Sequence, residues 1–334
     1  MAPHPTRRHA LFGSAAVAAG TVLGRPRAAR AATTRIRFLT SWFAQAEHGG
    51  FYQALATGLY AKEGLDVMID MGGPQVNGLQ LLTAGNADIV MGYDIQVMKA
   101  VERKLPVVTV ATSFQHDLQG LMTHADIGGI ADLKGRKILI ASSSRATFWP
   151  WLRQRFGFSD DQAAPYTFNL QPFLIDRQAA VQAYPSSEPF EATQQGTKVK
   201  FFLFADEGYP PYGTSMVTTQ SLVQSNPEAV RAFVRASLLG WRDYFANPAP
   251  ANALIKAANS KMTDARIAYA IDWMKAHDVL GAGDAARSGI GTITAERWKR
   301  TYDFMVAGDI LTPGTAWQKA FTTQFVDGLN IRPV

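Results

Sequence analysis

The sequence of 334 residues contains no cysteine. This absence excludes disulfide bonds, thiol catalysis and cysteine-based metal sites. The folded protein must therefore be stabilised by a hydrophobic core. A chain of this length with 47% hydrophobic residues is long enough to form two domains of ordinary size.

Sequence signatures of several enzyme and metal sites are also missing. The chain has neither a Gly-x-Ser-x-Gly elbow nor a phosphate-binding P-loop. Six histidines are scattered over the chain, and neither His48 nor His116 has a second histidine or a carboxylate at metal-ligand spacing. The sequence therefore predicts no catalytic residue, no metal site and no cofactor.

Acidic residues are absent from residues 1–31, which contain five arginines (Arg7, Arg8, Arg25, Arg27 and Arg30). Paired arginines, an apolar run from Leu11 to Leu23 and small residues near Ala31 are typical of a twin-arginine signal peptide. The alternative, a membrane anchor, is disfavoured because the run is shorter than the roughly 20 residues that span a bilayer. We therefore expect export to the periplasm.

Removal of this segment changes the charge of the chain. Subtracting its five positive charges from the formal +6 leaves the mature chain near +1. Nucleic-acid binding requires a clustered basic face, which such a chain lacks. The sequence therefore predicts no nucleic-acid partner.

Residues 39–94 show an alternating pattern of strands and helices. Apolar residues recur at helical spacing near Phe51 and Leu79, and short apolar runs near Val67 and Val90 suit buried strands. Such a unit forms a parallel sheet, in which ligands bind beyond the carboxyl ends of the strands. The loops at these ends are residues 41–43, 72–74 and 92–94, so we expect the binding site to begin there.

The pattern restarts in the middle of the chain and then becomes helical. We predict strands over 137–141, 166–173 and 198–204, helices over 145–156 and 176–182, and helices from residue 226 onward. The predicted fold class is α/β with two lobes, each a sheet flanked by helices, and a helical C-terminal third. Lobe 1 comprises residues 33–117 with 217–334, and lobe 2 comprises residues 118–216. The two pieces of chain near residues 114–121 and 212–218 are the predicted hinges.

An ordered set of short motifs gives the chain a family resemblance. The set comprises Trp42, Glu47-His48-Gly49-Gly50-Phe51, Gly58-Leu59-Tyr60, Glu63-Gly64-Leu65-Asp66-Val67, Gly72-Gly73-Pro74, Gly85-Asn86-Ala87-Asp88 and Asp132-Leu133-Lys134-Gly135. Over about residues 35 to 250 the chain resembles the periplasmic solute-binding proteins of ABC importers. It resembles most the nitrate/sulfonate/taurine type and its thiamine-pyrimidine-precursor branch. The resemblance implies a type II periplasmic binding protein fold, a monomer, a small-molecule ligand, and a permease with its ATPase as partners.

Aromatic and polar residues in or beside the predicted loops are the candidate ligand-binding residues. Aromatic walls suit a flat heterocycle, although each ring could instead belong to the core. The aromatic candidates are Trp42, Phe43, Tyr93, Phe114, Phe148, Trp149 and Tyr209, and the polar or glycine candidates are Gln45, His48, Gly73, Asn77, Asp94, Gln115, Ser143, Ser144 and Glu188.

The charge of the ligand is left open by these candidates. The resemblance implies that a cleft glutamate pairs with the ring nitrogen and amino group of a pyrimidine, and Glu188 is the nearest match in chain order. Hydroxyl and backbone N–H groups of Ser142 to Ser144, with Arg145, could instead hold an organic anion such as a sulfonate, nitrate or aromatic carboxylate. A pyrimidine-synthase-like enzyme is the remote alternative, but that activity goes with a cysteine-rich motif and a lysine-bound pyridoxal phosphate.

Overall fold

The structure is a computed structural model that describes Met1 and residues 33–334. The predicted signal peptide, apart from Met1, lies outside the described residues. No helix in the described part of the chain is long and apolar enough to cross a membrane.

Within residues 33–334, ten strands form two five-stranded sheets. The strands are β1 (Thr34–Leu39), β2 (Leu65–Asp70), β3 (Ile89–Gly92), β4 (Val107–Phe114), β5 (Gly120–His124), β6 (Ile138–Ile140), β7 (Ala163–Pro165), β8 (Ala180–Ala183), β9 (Val199–Leu203) and β10 (Gly213–Thr219). The first sheet has the order β2-β1-β3-β10-β4 and the second the order β7-β6-β8-β5-β9. This is the two-lobe periplasmic binding protein fold that the sequence predicts.

Helices cover the faces of these sheets. They are α1 (Gly49–Ala56), α2 (Leu59–Lys62), α3 (Gly78–Thr83), α4 (Asp94–Glu102), α5 (Trp149–Phe156), α6 (Gln171–Ile175), α7 (Glu188–Gln194), α8 (Gln220–Ser225), α9 (Pro227–Ala246), α10 (Ala249–Ala258), α11 (Asp264–Ala276), α12 (Ala285–Ser288) and α13 (Ala295–Ala307). The helical C-terminal third is thus confirmed.

The first lobe begins with the predicted α/β unit. Strand β1 pairs in parallel with β2 and β3, with Ile36 opposite Val67 and Phe38 opposite Ile89. These four side chains are buried, whereas Arg35 and Asp66 are exposed, because successive residues of β1 and β2 point to opposite faces of the sheet. The loops after β1, β2 and β3 therefore lie at one edge of the sheet.

Two predicted elements of the second lobe are wrong. No residue of the predicted strand over 166–173 lies in a strand: β7 ends at Pro165, the φ of +63° at Phe168 is not that of an extended strand, and Gln171 begins helix α6. The last residues of the predicted helix over 176–182 form the beginning of strand β8 instead. This short segment is rich in helix formers, but it pairs with β5 and β6 in the middle of the second sheet, and that tertiary position overrides its local preference.

A third predicted element is shorter than expected. Residues 142–146 form a turn of 3-10 helix, and the α-helix begins only at Trp149, with Pro150 in its first turn. The three serines therefore do not directly precede the α-helix, so they do not form the helix-terminal anion site that the sequence suggested.

Residues 115–119 join β4 to β5, and residues 204–212 join β9 to β10, so the chain passes between the sheets twice. Strand β10 begins at Gly213 and lies in the first sheet throughout its length. The second connection therefore ends before the predicted boundary at residues 216 and 217, and most of the predicted hinge at 212–218 is strand. The exact lobe boundaries stay a prediction.

Candidate functional site

A buried cavity lies where the strand-end loops of the two lobes meet. It is lined by Ser41, Trp42, Gln45, His48, Tyr93, Gln119, Ser143, Ser144, Thr147, Gln182, Ala183, Tyr184 and Glu188. The space open to the centres of water molecules is about 40 Å³. One water requires about 10 to 15 Å³ on this measure, so the cavity has room for only a few waters. The lobes are thus closed around it.

The structure brings a subset of the predicted residues together at this cavity. Lobe 1 contributes Trp42, Gln45, His48 and Tyr93, and lobe 2 contributes Ser143, Ser144 and Glu188. Sequence reasoning missed Gln119, Thr147, Gln182 and Tyr184 as site residues. Gln182 was missed because the segment was predicted as helix, whereas an alternation of apolar and polar residues in Val181-Gln182-Ala183 was the available strand signal.

Trp42 forms an aromatic wall of the cavity. Its ring stacks on Tyr166, with a centroid separation of 6.3 Å and an interplanar angle of 21°. Phe168 contacts it edge to face at 6.0 Å, and Phe43 does so at 6.1 Å. These aromatic contacts hold the indole of Trp42, which also lines the cavity and can contact a flat ligand there.

Two polar side chains at the cavity lack partners. Gln45 and His48 are both buried, and neither Gln45 Oε1 nor His48 Nδ1 has a hydrogen-bond partner among the described residues. Burial lowers the pKa of His48 to about 3, so its imidazole is neutral at physiological pH. A buried polar group without a partner costs roughly 1–3 kcal/mol, and a ligand that offers matching groups would recover this free energy.

Glu188 is the carboxylate of the cavity. Its Oε1 accepts a hydrogen bond from the Tyr166 hydroxyl at 3.0 Å, and its Oε2 accepts one from the Tyr184 backbone N–H at 2.9 Å. Burial raises the pKa of Glu188, and the nearby Arg266 acts in the opposite direction. Each carboxylate oxygen has a second lone pair, so Glu188 can still accept N–H groups from a ligand.

The remaining polar groups of the cavity are neutral. Gln182 Oε1 accepts hydrogen bonds from the Ser144 hydroxyl at 2.7 Å and from the Ala141 backbone N–H at 2.6 Å. The Tyr93 hydroxyl donates to Ser41 Oγ at 3.4 Å, and burial raises the pKa of Tyr93 to about 12. No lysine or arginine of the described chain lines this cavity. The predicted anion-binding residue Arg145 instead donates to the Ala163 carbonyl at 3.0 Å.

The other predicted aromatic residues do not line the cavity, because they face the core. Their contacts are Phe43 with Phe168, Phe114 with Trp241, Phe148 with Phe204, Tyr209 with Trp151, and the Trp149 Nε1–H with Asp160 Oδ1. A strand-end position was predictable from the sequence, but the side of the sheet on which each ring packs was not.

The remaining predicted polar and glycine residues also have structural partners elsewhere. Asp94 accepts hydrogen bonds from Tyr212 N–H and the Ser215 hydroxyl, Gln115 donates to the Thr292 carbonyl, Asn77 caps α3 by accepting from Gln80 N–H, and Gly73 packs beside Phe43. None of them lines the cavity. The described residues also include no group of three or more histidine, aspartate or glutamate side chains placed to hold a metal ion.

Comparisons with known proteins agree with this fold. A sequence model of the family described as NMT1/THI5 like matches residues 45–251. Riboflavin-binding protein RibY of Chloroflexus aurantiacus is 26% identical over 308 residues, which cover 88% of this chain and 86% of RibY. The formylaminopyrimidine-binding protein of Halalkalibacterium halodurans is 24% identical over 299 residues, or 86% of this chain and 89% of the relative. The fold is shared with the crystal structure of the periplasmic aliphatic sulphonate binding protein SsuA from Escherichia coli. The two structures superpose with a TM-score of 0.62 at 15% sequence identity, over 86% of this chain and 92% of SsuA.

Proposed function

The chain belongs to the NMT1/THI5-like family, and from this premise we propose that it is the periplasmic solute-binding component of an ABC importer for a small nitrogen heterocycle of the aminopyrimidine type. The protein is a binding protein rather than an enzyme, in line with the two curated relatives, both of which are named for the ligands they bind. Its partners are a permease and an ATPase, it acts as a monomer, and it is exported by the twin-arginine route.

One observation supports the heterocycle above the rest: the cavity combines an aromatic wall with a buried carboxylate and has no basic residue among its lining side chains. Trp42 offers a face for stacking, and Glu188 accepts the N–H groups that an aminopyrimidine presents side by side. His48 and Gln45 add hydrogen-bonding groups that lack partners among residues 33–334. The same set suits a neutral or cationic ring with several N–H donors and acceptors.

The alternative ligand is an organic anion such as a sulfonate or an aromatic carboxylate. The hydroxyls of Ser143 and Ser144 could donate to it, but Glu188 would lie near the anion with no cation in the cavity lining to offset the repulsion. The similarity to SsuA concerns the fold alone and adds nothing to this alternative.

A thermal-shift screen followed by calorimetry tests the proposal. The library contains aminopyrimidines, purines, flavins, sulfonates and aromatic acids, and the variants are Trp42→Ala and, as a matched control, Trp273→Ala. Trp273 stacks on His277 and does not line the cavity. We expect heterocycles as hits and a loss of roughly 1–3 kcal/mol of binding free energy in Trp42→Ala only, the usual value for stacking on an aromatic side chain. Hits confined to anions would refute the proposal.

A further inference from the structure

One further hollow of the molecule adjoins the buried cavity, and a second hollow adjoins the first. Ser41, Tyr93 and Ser143 line both the cavity and a narrow passage, which we call the neck, and Leu79 and Gln96 line both the neck and a wide surface groove. Shared lining residues mean that these spaces adjoin each other. The neck therefore lies between the cavity and the groove.

The neck is narrow and uncharged. It is lined by Thr40, Ser41, Val76, Gly78, Leu79, Met91, Gly92, Tyr93, Gln96 and Ser143. The space open to water centres there is about 20 Å³. Two of its positions are glycines that contribute no side chain, whereas Ser41, Ser143 and Gln96 can form hydrogen bonds. Such a passage suits a thin, flexible chain with hydroxyl groups rather than a second ring.

The groove is larger and has basic residues along its sides. The space open to water centres is about 610 Å³, and the charged lining residues are Lys99, Arg103, Arg145 and Asp309. Lys99 is already paired with Glu102, with a separation of 2.5 Å between Lys99 Nζ and Glu102 Oε2. Among the described residues, Arg103 has no side-chain hydrogen bond or ion pair, and Arg145 donates only to a backbone carbonyl. These two guanidinium groups outnumber the one carboxylate, Asp309.

The groove also lies between the lobes. Arg103 follows helix α4 of lobe 1, whereas Arg145, Ala146 and Pro150 belong to lobe 2. An anion bound between Arg103 and Arg145 would therefore contact both lobes at once. Guanidinium groups bind phosphate through paired N–H donors, which makes arginine well suited to this role.

We propose that the ligand of this site is a heterocycle carrying a substituent chain that passes through the neck and ends in an anionic group, such as a phosphate monoester, held in the groove by Arg103 and Arg145. This inference rests on the proposed function, since it places the heterocycle in the cavity. It assigns the anion to the groove and the uncharged ring to the cavity, so the basic residues and Glu188 serve different ends of one ligand.

Pairs of compounds that differ only in a terminal phosphate test the inference. For an aminopyrimidine head the pair is a 4-aminopyrimidine with a flexible hydroxyalkyl chain and its phosphate monoester, and for a flavin head it is riboflavin and flavin mononucleotide. Calorimetry on the intact mature protein compares the parent with Arg103→Ala, Arg145→Ala, the double variant and Arg177→Ala. Arg177 is an exposed arginine that lines neither the cavity, the neck nor the groove.

We expect the phosphate to improve the affinity by about three- to tenfold, the range for partly exposed charge pairs. This gain should disappear in the double variant, persist in Arg177→Ala and diminish at 1 M salt, where the screening length is about 3 Å. The affinity for the compound without phosphate should be the same in all variants.

Failure of this inference differs from failure of the proposed function. Heterocycles that bind with Trp42-dependent affinity, but gain nothing from the phosphate in the parent, would overturn the groove assignment and leave the proposed function intact. A phosphate gain that survives in the double variant would also overturn it. If no heterocycle of either kind binds, the proposed function fails and the groove assignment fails with it.

Discussion

The hydroxyl of Ser186 donates a hydrogen bond to Glu47 Oε1, although the two residues are 139 positions apart in the chain. Glu47 lies in a 3-10 turn of lobe 1 beside the cavity residue His48, and Ser186 lies in the loop between β8 and α7 of lobe 2. Both side chains are buried. The hydrogen bond therefore joins the two lobes immediately beside the ligand cavity.

Glu47 should make the stability of the closed protein depend on pH. The pKa of Glu47 is raised from 4.5 to about 7, mainly by burial and to a smaller extent by the nearby Glu188, while Ser186 and Arg266 act in the opposite direction. Between pH 4.5 and 7 the folded protein therefore keeps a proton that the unfolded chain has lost. The contribution of Glu47 to stability is complete below pH 4.5 and is lost as the pH rises to 7.

Glu47→Gln isolates this effect, because glutamine keeps an acceptor oxygen for Ser186 and does not titrate. We expect the free energy of unfolding of the parent to fall by roughly 2–3 kcal/mol more than that of the variant between pH 4.5 and 7.5, as measured by urea denaturation. Asp94 and Asp117 titrate in the same sense and His48 in the opposite sense, and all three are present in both proteins. Equal pH slopes in the two proteins would contradict the prediction.

Glu188→Gln should weaken heterocycle binding. The substitution replaces one carboxylate oxygen with an NH₂ group, which can no longer accept from the ligand or from the Tyr184 N–H. We expect a loss of roughly 2–5 kcal/mol of binding free energy by calorimetry, as for other buried charged hydrogen bonds. Glu191→Gln is the matched control, since Glu191 lies on the same helix, pairs with Arg266 and does not line the cavity. Anions that bind Glu188→Gln as well as they bind the parent would favour the alternative ligand class.

Residues near the ends of strands were the most predictable part of the site. Trp42 and Tyr93 follow β1 and β3, which pair in parallel, and parallel strands place their following loops at one edge of the sheet. Ser143 and Ser144 could be predicted for the same reason after β6. The position of these residues follows from local patterns, so a single sequence was sufficient to predict that they lie at the binding edge of the sheet.

Other parts of the site depend on tertiary structure that no local pattern encodes. Glu47 acquires its raised pKa from burial, and its hydrogen-bond partner Ser186 is distant in sequence. Gln182 enters the cavity because strand β8 pairs with two other strands, although the segment alone favours a helix. Phe148 follows a strand as Trp42 does, but its ring packs against Phe204 in the core. The sequence shows which type of residue follows each strand, but not the side of the sheet on which the side chain of that residue packs.

The contact between α1 and α9 should not tolerate a single added methyl group. A Cβ atom at Gly240 would lie 2.2 Å from the Gly50 carbonyl oxygen and 2.8 Å from Ala54 Cβ. Alanine favours a helix over glycine by about 1 kcal/mol, but overpacking against a backbone atom costs roughly 1–3 kcal/mol. Because a Cβ only 2.2 Å from a backbone oxygen is a severe contact, the overpacking cost should lie near the upper end of its range, and we expect Gly240→Ala to lower the free energy of unfolding by up to about 2 kcal/mol in urea denaturation.

Gly129→Ala is the control for this prediction. Gly129 has an extended φ of −166°, and an added Cβ would meet no atom within 4 Å. Its free energy of unfolding should therefore stay within about 0.5 kcal/mol of the parent value. A Gly240→Ala protein as stable as Gly129→Ala would show that the two helices can move apart at little cost.

Ligand binding should convert an open form into the closed form described here. The cavity admits the centres of only a few waters, and its lining residues come from both lobes, so a ligand can enter only when the lobes separate. A ligand that contacts both lobes binds the closed form more tightly and shifts the population towards it. We expect small-angle X-ray scattering to give a smaller radius of gyration at saturating ligand than without ligand.

Ser186→Ala should give the ligand-free protein a larger radius of gyration than the ligand-free parent has. The substitution removes the donor to Glu47 and so weakens one contact that holds the lobes together. Ser221→Ala, at an exposed position on α8, is the control and should match the parent. With saturating ligand all three proteins should converge on the same compact radius, since the ligand adds its own contacts to both lobes. If the radius of gyration does not change when a tightly bound ligand is added, the lobes are closed before binding. The ligand would then have to enter through a local opening at the neck rather than by movement of a whole lobe.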